Sequence, residues 1–498
     1  MKKMNLIALL LATMVLFSVK TSVAQNTTFK LSDYKNPDYF YQSLGLTFGL
    51  NNSLNFRKAN SESDDYNLNN YRFYGNMQVN YSSYANSLKS QSEMHAWFSG
   101  SLANTSTHNT HEQLNSESKQ NDFSHGESFG IDGLKRFYNA KQNYFEVRGN
   151  LSLNYSGIAE RRNTYISNTL TNSGEDNTKN FRNTLTGSFL IGKGRIEQVQ
   201  DARMALFLLD DLGRLNREKR IVSDEDVIEL ARLITSLRYK RSFDHRLRKI
   251  AEISAIDSFM QLKGLVNKTD ATYFTSLNDN WDFANNPSRY SGWRMYTGVE
   301  GSFDYFYYKS ISETELPSPD LSERNENRHG LGAYAVAGLS HEKPINLRWQ
   351  QSASFKAMAG TNFRQSETKI TDSPDQNVYN GTLPMVLLAA DFGYGYYPNS
   401  RTWLTANWSL VSRFDKEYLG TTKEDKENSS NGYYIYTGPQ VQSYYYLSEK
   451  LRINISFSGY FTVDAEKNID SSPDGTDTMQ SIINYNQQLT ATLTYSLF

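Results

Sequence analysis

Charged side chains that recur in one phase of alternating segments are the residues in this sequence best placed to do chemistry. Arg72, Arg148, Arg182, Arg294, Arg348, Lys356, Arg413 and Arg452 share the polar phase of their segments, with Glu93, Glu146, Glu300 and Asp304 as the opposing acids. Charges that line a water-filled passage set which ions enter it, so this excess of cations points to a mild anion preference. The same groups could instead pair with one another and fill a narrow passage. Nucleophilic chemistry has a weaker signal. His95 lies in phase with Ser99 and Ser101, but no distinctive serine motif stands beside it, and a serine nucleophile needs both a base and an orienting group. A structural histidine, and no enzyme, is the expectation. His108 and His111, with Glu112 and His125 nearby, have a metal-compatible spacing but lack a helix or a third fixed ligand. The acidic stretch 464–477 lacks the ligand spacing and closing Glu of a calcium loop. No metal and no cofactor is expected.

The elements that carry these residues follow from period. Phe145, Val147, Leu151, Leu153 and Tyr155 alternate with Glu146, Arg148, Asn150, Ser152 and Asn154. Leu451, Ile453, Ile455 and Phe457 alternate with Arg452, Asn454, Ser456 and Ser458, and residues 488–498 repeat the pattern as QLTATLTYSLF. Strand side chains point to opposite faces in turn, so each such segment is apolar on one side and wet on the other. This reading places strands at 42–56, 69–84, 91–105, 127–139, 143–158, 181–192, 291–309, 328–341, 345–364, 382–397, 401–415, 431–447, 450–464 and 480–498. The links alternate in length. Long polar ones fall at 57–68, 106–126, 159–180, 310–327, 365–381, 416–430 and 465–479, and mostly short ones fall between them.

One of the short links is replaced by residues 193–285, where the period changes to helical. Val199, Ala202, Leu206, Leu209 and Leu212 recur at helical spacing. Ser223, with Asp226 three residues on, has the pattern of a capping box. Val227, Leu230, Ala231, Ile234 and Leu237 line the helix that follows. A third helix is expected from about Asp244 to a C-cap at Gly264, and a fourth from Asp270. The insert carries a basic stretch: Arg232, Arg238, Lys240, Arg241, Arg246, Arg248 and Lys249, with His245 among them. These side chains are either a docking face for an acidic partner or a solvated helix surface.

Bulk features bound the class. Lys2 and Lys3, an apolar run over 6–19 and Ser22-Val23-Ala24 make 1–24 a secretory signal peptide. No later run approaches the ~20 apolar residues of a membrane helix. The chain has 34 Tyr and 27 Phe, a wealth of aromatics that suits interfacial girdles. It has no cysteine, so neither a disulfide nor a thiolate metal site is available. Its net charge of −1 gives no nucleic-acid signal.

With its signal peptide, alternating strands, loop phasing and terminal Phe498, the chain resembles the bacterial outer-membrane β-barrels, and more loosely their porin-like members. The resemblance covers about four-fifths of the mature chain and brings no functional motif. It implies an all-β membrane fold: an antiparallel transmembrane β-barrel of about 14 strands with an α-helical periplasmic insertion. The expected organisation is a signal at 1–24, a periplasmic segment at 25–41, barrel at 42–192, insertion at 193–285 and barrel again at 286–498. The expected location is the cell outer membrane. Outer-membrane lipid and lipopolysaccharide would surround the barrel, and the barrel-assembly machinery would insert it. The expected function is passive passage of small hydrophilic solutes, anions included. A second function stays open at this point: a structural or assembly role in which 193–285 docks a periplasmic protein or peptidoglycan.

Overall fold

The computed structural model describes residues 29–60, 65–111, 115–238, 245–283, 287–371, 377–420, 429–448, 451–469 and 478–495. The expected signal peptide lies outside them. Within them the chain forms fourteen strands in one antiparallel sheet: β1 (Tyr39–Asn60), β2 (Asp65–Asn86), β3 (Ser90–His111), β4 (Ser116–Tyr138), β5 (Asn143–Ile166), β6 (Thr169–Gln198), β7 (Tyr290–Leu316), β8 (Asp320–Pro344), β9 (Trp349–Ile370), β10 (Asn377–Tyr396), β11 (Thr402–Gly420), β12 (Ser429–Tyr446), β13 (Leu451–Ile469) and β14 (Thr478–Tyr495). Each strand pairs with the next in sequence, an uninterrupted meander. An even-numbered meander of this kind is the strand architecture of outer-membrane β-barrels.

Two expectations need correction. Closure is not seen among the described residues: β1 pairs only with β2, and β14 only with β13, so the sheet keeps two free edges there. The long polar links are also largely not loops. Most of their residues continue the hairpins, which makes strands of 18 to 30 residues, where a membrane crossing needs about 9–11. The β5–β6 hairpin turns on Ser167 and Asn168 alone, both with positive φ, which suits a two-residue turn. Ser, Thr and Asn occupy both faces of these extensions. The apolar alternation therefore stops where the backbone ladder does not.

Alternation sets the two faces. On β1, Leu44, Leu46, Phe48 and Leu50 are all strongly exposed, and so are Phe189 and Ile191 on β6 and Leu489 and Leu493 on β14. These positions share the outer face. Glu146, Ser188, Leu190 and Val336 occupy the opposite phase and are buried.

The insert between β6 and β7 forms α1 (Gln200–Arg214), α2 (Asp224–Arg238), α3 (His245–Leu262) and α4 (Ala271–Phe283). The capping box closes as its spacing predicts: the Asp226 amide donates to Ser223 Oγ (3.2 Å) and the Ser223 amide to Asp226 Oδ2 (2.9 Å). Gly264, at φ +61, ends α3 in a Schellman turn, with Leu265 N–H donating to Met260 O and Gly264 N–H to Gln261 O. Asp270 caps α4 through the Tyr273 amide. No helix among the described residues is long and apolar enough to cross a membrane.

The stripes of α1 and α2 bury one another, whereas Ile250 of α3 and Phe274 of α4 are exposed. α1 is the central helix, buried over nearly its whole circumference from Gln200 to Leu209. Leu230 and Ile234 of α2 and Ile256 and Met260 of α3 are fully buried in the same core. Phe29, Leu31 and Tyr34, ahead of β1, join the same core, as does Leu347 from the β8–β9 turn.

Candidate functional site

The site lies where the insert meets the short turns of the sheet. β6 and β7 run past the neighbouring hairpins and then bend. The ladder is creased at Gly194 (φ +94) and Gly292 (φ +122), which lie on opposite strands two rows apart. A Cβ on Gly292 would stand 2.1 Å from Arg195 O, and one on Gly194 2.3 Å from Trp293 O. Only glycine fits both the backbone angles and the close approach. Beyond this crease the ribbon leads into the helices.

Anchors then tie the insert to that mouth. Arg195 donates to Asn86 Oδ1 (2.8 Å) and to the carbonyls of Ser87 (2.8 Å) and Leu88 (3.1 Å), holding the β2–β3 turn. Tyr39 Oη donates to Gln198 Oε1 (3.0 Å), and Asn36 Nδ2 donates to Gln198 O (2.7 Å), which ties in the start of β1. Arg289 donates to the carbonyls of Leu347 (2.5 Å), Asn346 (2.9 Å) and Trp349 (2.8 Å), and to Gln350 Oε1 (3.1 Å), in and beside the β8–β9 turn. Arg401, in the β10–β11 turn, grips both Asp279 oxygens of α4 (2.8 and 2.9 Å from Nε) and lies 4.8 Å from the Phe283 ring. Phe283 in turn packs on Tyr446 at the end of β12 (5.2 Å). The insert and the ends of the β6–β7 ribbon that carry it thus reach four separate turns and the N-terminal segment.

Two arginines make the centre of this junction electrostatically unusual. Arg203 of α1 and Arg289 lie 4.8 and 4.9 Å from the ring of Tyr397. Both are almost fully buried. Burial, and then the charge of Arg289 beside it, pulls the Arg203 guanidinium down to about 9, and burial pulls Arg289 down to about 10. Arg203 donates to Pro287 O at 2.7 Å. Backbone carbonyls and an aromatic face therefore take much of the place that carboxylates would have.

The inward face of the sheet holds most of the expected lumen charges. Glu146 is the hub of one cluster: Arg136 Nε donates to its Oε2 (2.5 Å) and Arg148 to its Oε1 (2.9 Å). Arg136 also lies 3.7 Å from Glu93, and Arg294 sits half-buried beside Arg136 and Glu146. Lys356 pairs with Glu300 at 3.6 Å. Arg413 pairs with Asp415 at 2.9 Å. Arg182 and Arg452 are exposed on the same face, and Arg72 lies 6.0 Å from the Tyr74 ring. Arg348 is displaced from its expected place: it belongs to the β8–β9 turn, where Asp210 of α1 feels its charge. Arg136 is an addition. Its phase, shared with Asp132, would have put it on this face.

The basic stretch of the insert is in part internally engaged. Arg238 lies 3.7 Å from Asp201, Arg248 pairs with Glu252 (2.5 Å) and Lys249 with Asp282 (2.7 Å). Lys240 and Arg241 lie outside the described residues, as does the side chain of Arg246. The histidines are dispersed. His108 pairs with Glu117 (2.7 Å), while His125 is set opposite Leu102, rows away on the same hairpin. Glu112 lies outside the described residues. His95 contacts Ser82 (2.9 Å) and stands opposite Asp132, a cross-strand row that linear sequence does not reveal. No ion pair joins His95 to Asp132 among the described residues. The adjacent backbone amides of β2, β3 and β4 are committed to the ladder, so that row offers no oxyanion site.

No protein-family model and no curated protein matches the chain. Among solved structures it is similar to the translocator domain of the autotransporter NalP from Neisseria meningitidis, at 8% identity over 84% of this chain and 91% of that one, with a TM-score of 0.22. It is similar also to the Pseudomonas putida toluene transporter TodX, at 10% identity over 88% and 89%, TM-score 0.25. A third is the ferric yersiniabactin uptake receptor FyuA from Yersinia pestis, at 6% identity over 93% and 73%, TM-score 0.29. Likeness at these scores carries no functional inference.

Proposed function

We propose that this chain is an outer-membrane β-barrel channel whose periplasmic mouth is closed by its own helical insert. The outward apolar face fits lipid, and the charged inward face fits an aqueous passage for small hydrophilic solutes, anions included. Transport is passive, with no chemical step. The observation that carries the reading is the set of anchors at the short turns: the ends of the β6–β7 ribbon hold the β2–β3 and β8–β9 turns through Arg195 and Arg289, and α4 holds the β10–β11 turn and the end of β12 through Asp279 and Phe283. The stripes of α1 and α2 are buried in a shared core, while Ile250 and Leu262 of α3 and Phe274 of α4 stay exposed. Fastening by ion pairs and carbonyl bonds at the rim suits a cap that can lift without unfolding.

The test is planar-bilayer recording on the full mature chain and on Arg401→Ala and Asp279→Ala. Rare or small openings in the parent, with openings several-fold more frequent in both variants, are expected. Equal, steady conductance in all three would refute the closed mouth.

A further inference from the structure

The free edges of β1 and β14 specify how they meet. A row of unpaired amides and carbonyls cannot face hydrocarbon, so a sheet lying in lipid must cover both edges. We propose that each edge is covered by the other in one register, with Phe40 opposite Tyr495, Thr47 opposite Gln488 and Phe56 opposite Met479. The inference rests on the membrane reading above but not on the cap.

Three independent constraints converge on that register. The first is face. The cross-strand row from Phe40 through Phe189 and Val386 to Ser481 puts even positions of β1 and odd positions of β14 on the outer face. Fourteen strands make the two edges antiparallel, and only every second register joins like faces. The second is stagger. The perpendicular row through Phe40 passes Ala85 on β2, Phe189 on β6 and Val386 on β10, and ends at Ser481 on β14. Setting Phe40 against Tyr495 therefore climbs 14 residues along β14, from Ser481 to Tyr495, in one circuit. With ~3.4 Å per residue and ~4.8 Å between strands, 14 strands and that stagger give a tilt of about 35°, inside the usual range of roughly 35–45° for barrels. A stagger two residues smaller gives only about 31°. The third is the apolar band. In the proposed register the outward residues of β1 from Phe40 to Phe56 lie against those of β14 from Tyr495 to Met479. A stagger two residues larger would set Phe56 against Ser481 and Met479 against Lys58. On the inner face the proposed register sets Ser43 against Thr492, Thr47 against Gln488 and Asn51 against Asn484.

The chain has no cysteine, which makes the seam directly readable. Thr47→Cys with Gln488→Cys would be made in the full chain, inserted in membranes and oxidised. Ser456→Cys with Thr490→Cys, already paired across β13–β14, is the positive control. Directly opposed positions fall within disulfide reach, whereas diagonal ones, at about 7–8 Å, do not. The expected result is an intrachain disulfide in the seam pair to the same extent as in the control. Cross-linking of Thr47→Cys with Asn486→Cys or Thr490→Cys in its place would overturn the register. Disulfide-linked dimers would put a second copy of the chain on the edge and overturn self-closure. An oxidised control with no seam disulfide in any combination would overturn the pairing itself. None of these outcomes depends on whether the cap conducts or closes.

Discussion

At the residue scale the junction separates two kinds of arginine. Arg289 is bound to three carbonyls and a glutamine, so its removal leaves several buried acceptors without donors. Arg289→Met is expected to destabilise the cap by about 3 kcal/mol or more, read as a fall in the unfolding midpoint of the helical signal. Arg203 has the opposite balance. Its buried charge lies near that of Arg289, and it donates to Pro287 O. Arg203→Met therefore exchanges a desolvated cation for a side chain that suits the site, and stability within about 1 kcal/mol of the parent, or above it, is expected. A loss as large as that for Arg289 would show that the cation–ring stack, rather than desolvation, governs the site. The crease is a third case. Gly292→Ala adds a Cβ 2.1 Å from Arg195 O at a φ of +122, where alanine is strained. It should cost about 1–3 kcal/mol of cap stability while leaving the barrel intact.

At the element scale, α2 has a pH-sensitive start. Arg220 chiefly, with the amide and hydroxyl of Ser223, holds the Asp226 carboxyl down to about 2. Unfolded, that carboxyl has a pKa of about 3.9. A depressed carboxylate contributes stability that is fully present above the unfolded value and is lost as pH falls through the folded one. The insert should therefore loosen between about pH 4 and pH 2, followed by tryptophan fluorescence or by protease cleavage within 193–285. Ser223→Ala should cost about 1 kcal/mol by opening the capping box, and Asp226→Asn should flatten the acid transition. An unchanged transition in Asp226→Asn would assign it to other groups. Such caps were legible in the sequence because their partners lie three residues apart. The strand phases were legible too, wherever one face is apolar. The hairpin extensions were not, because Ser, Thr and Asn fill both faces there and leave no period to read. The anchors were hidden for another reason: Arg401 and Asp279, or Ser82, His95 and Asp132, meet only through the cross-strand register and the docking of the insert, which no local spacing encodes.

At the scale of the whole molecule, strand number and stagger together decide what the insert is for. A closed barrel of fourteen strands tilted by about 35° measures roughly 26 Å across, backbone to backbone. Eight strands are about the number whose side chains fill the interior unaided, so a barrel of fourteen needs something more to seal it. On the proposed reading the helical unit is that seal, and the charge cluster around Glu146 lies on the inward face beneath it. The inward charges are in part neutralised, since Glu93 and Glu146 face Arg136, Arg148 and Arg294. Selectivity once open should accordingly be a mild anion preference, visible as a small reversal potential in a salt gradient and reduced by Arg148→Ala. The most direct measurement is single-channel conductance of the full mature chain beside one lacking residues 199–288, with folding of both barrels verified. Near silence from the full chain and steady ohmic conductance from the shortened one is the predicted result. Equal conductance from both would contradict the cap, and silence from both would contradict the channel.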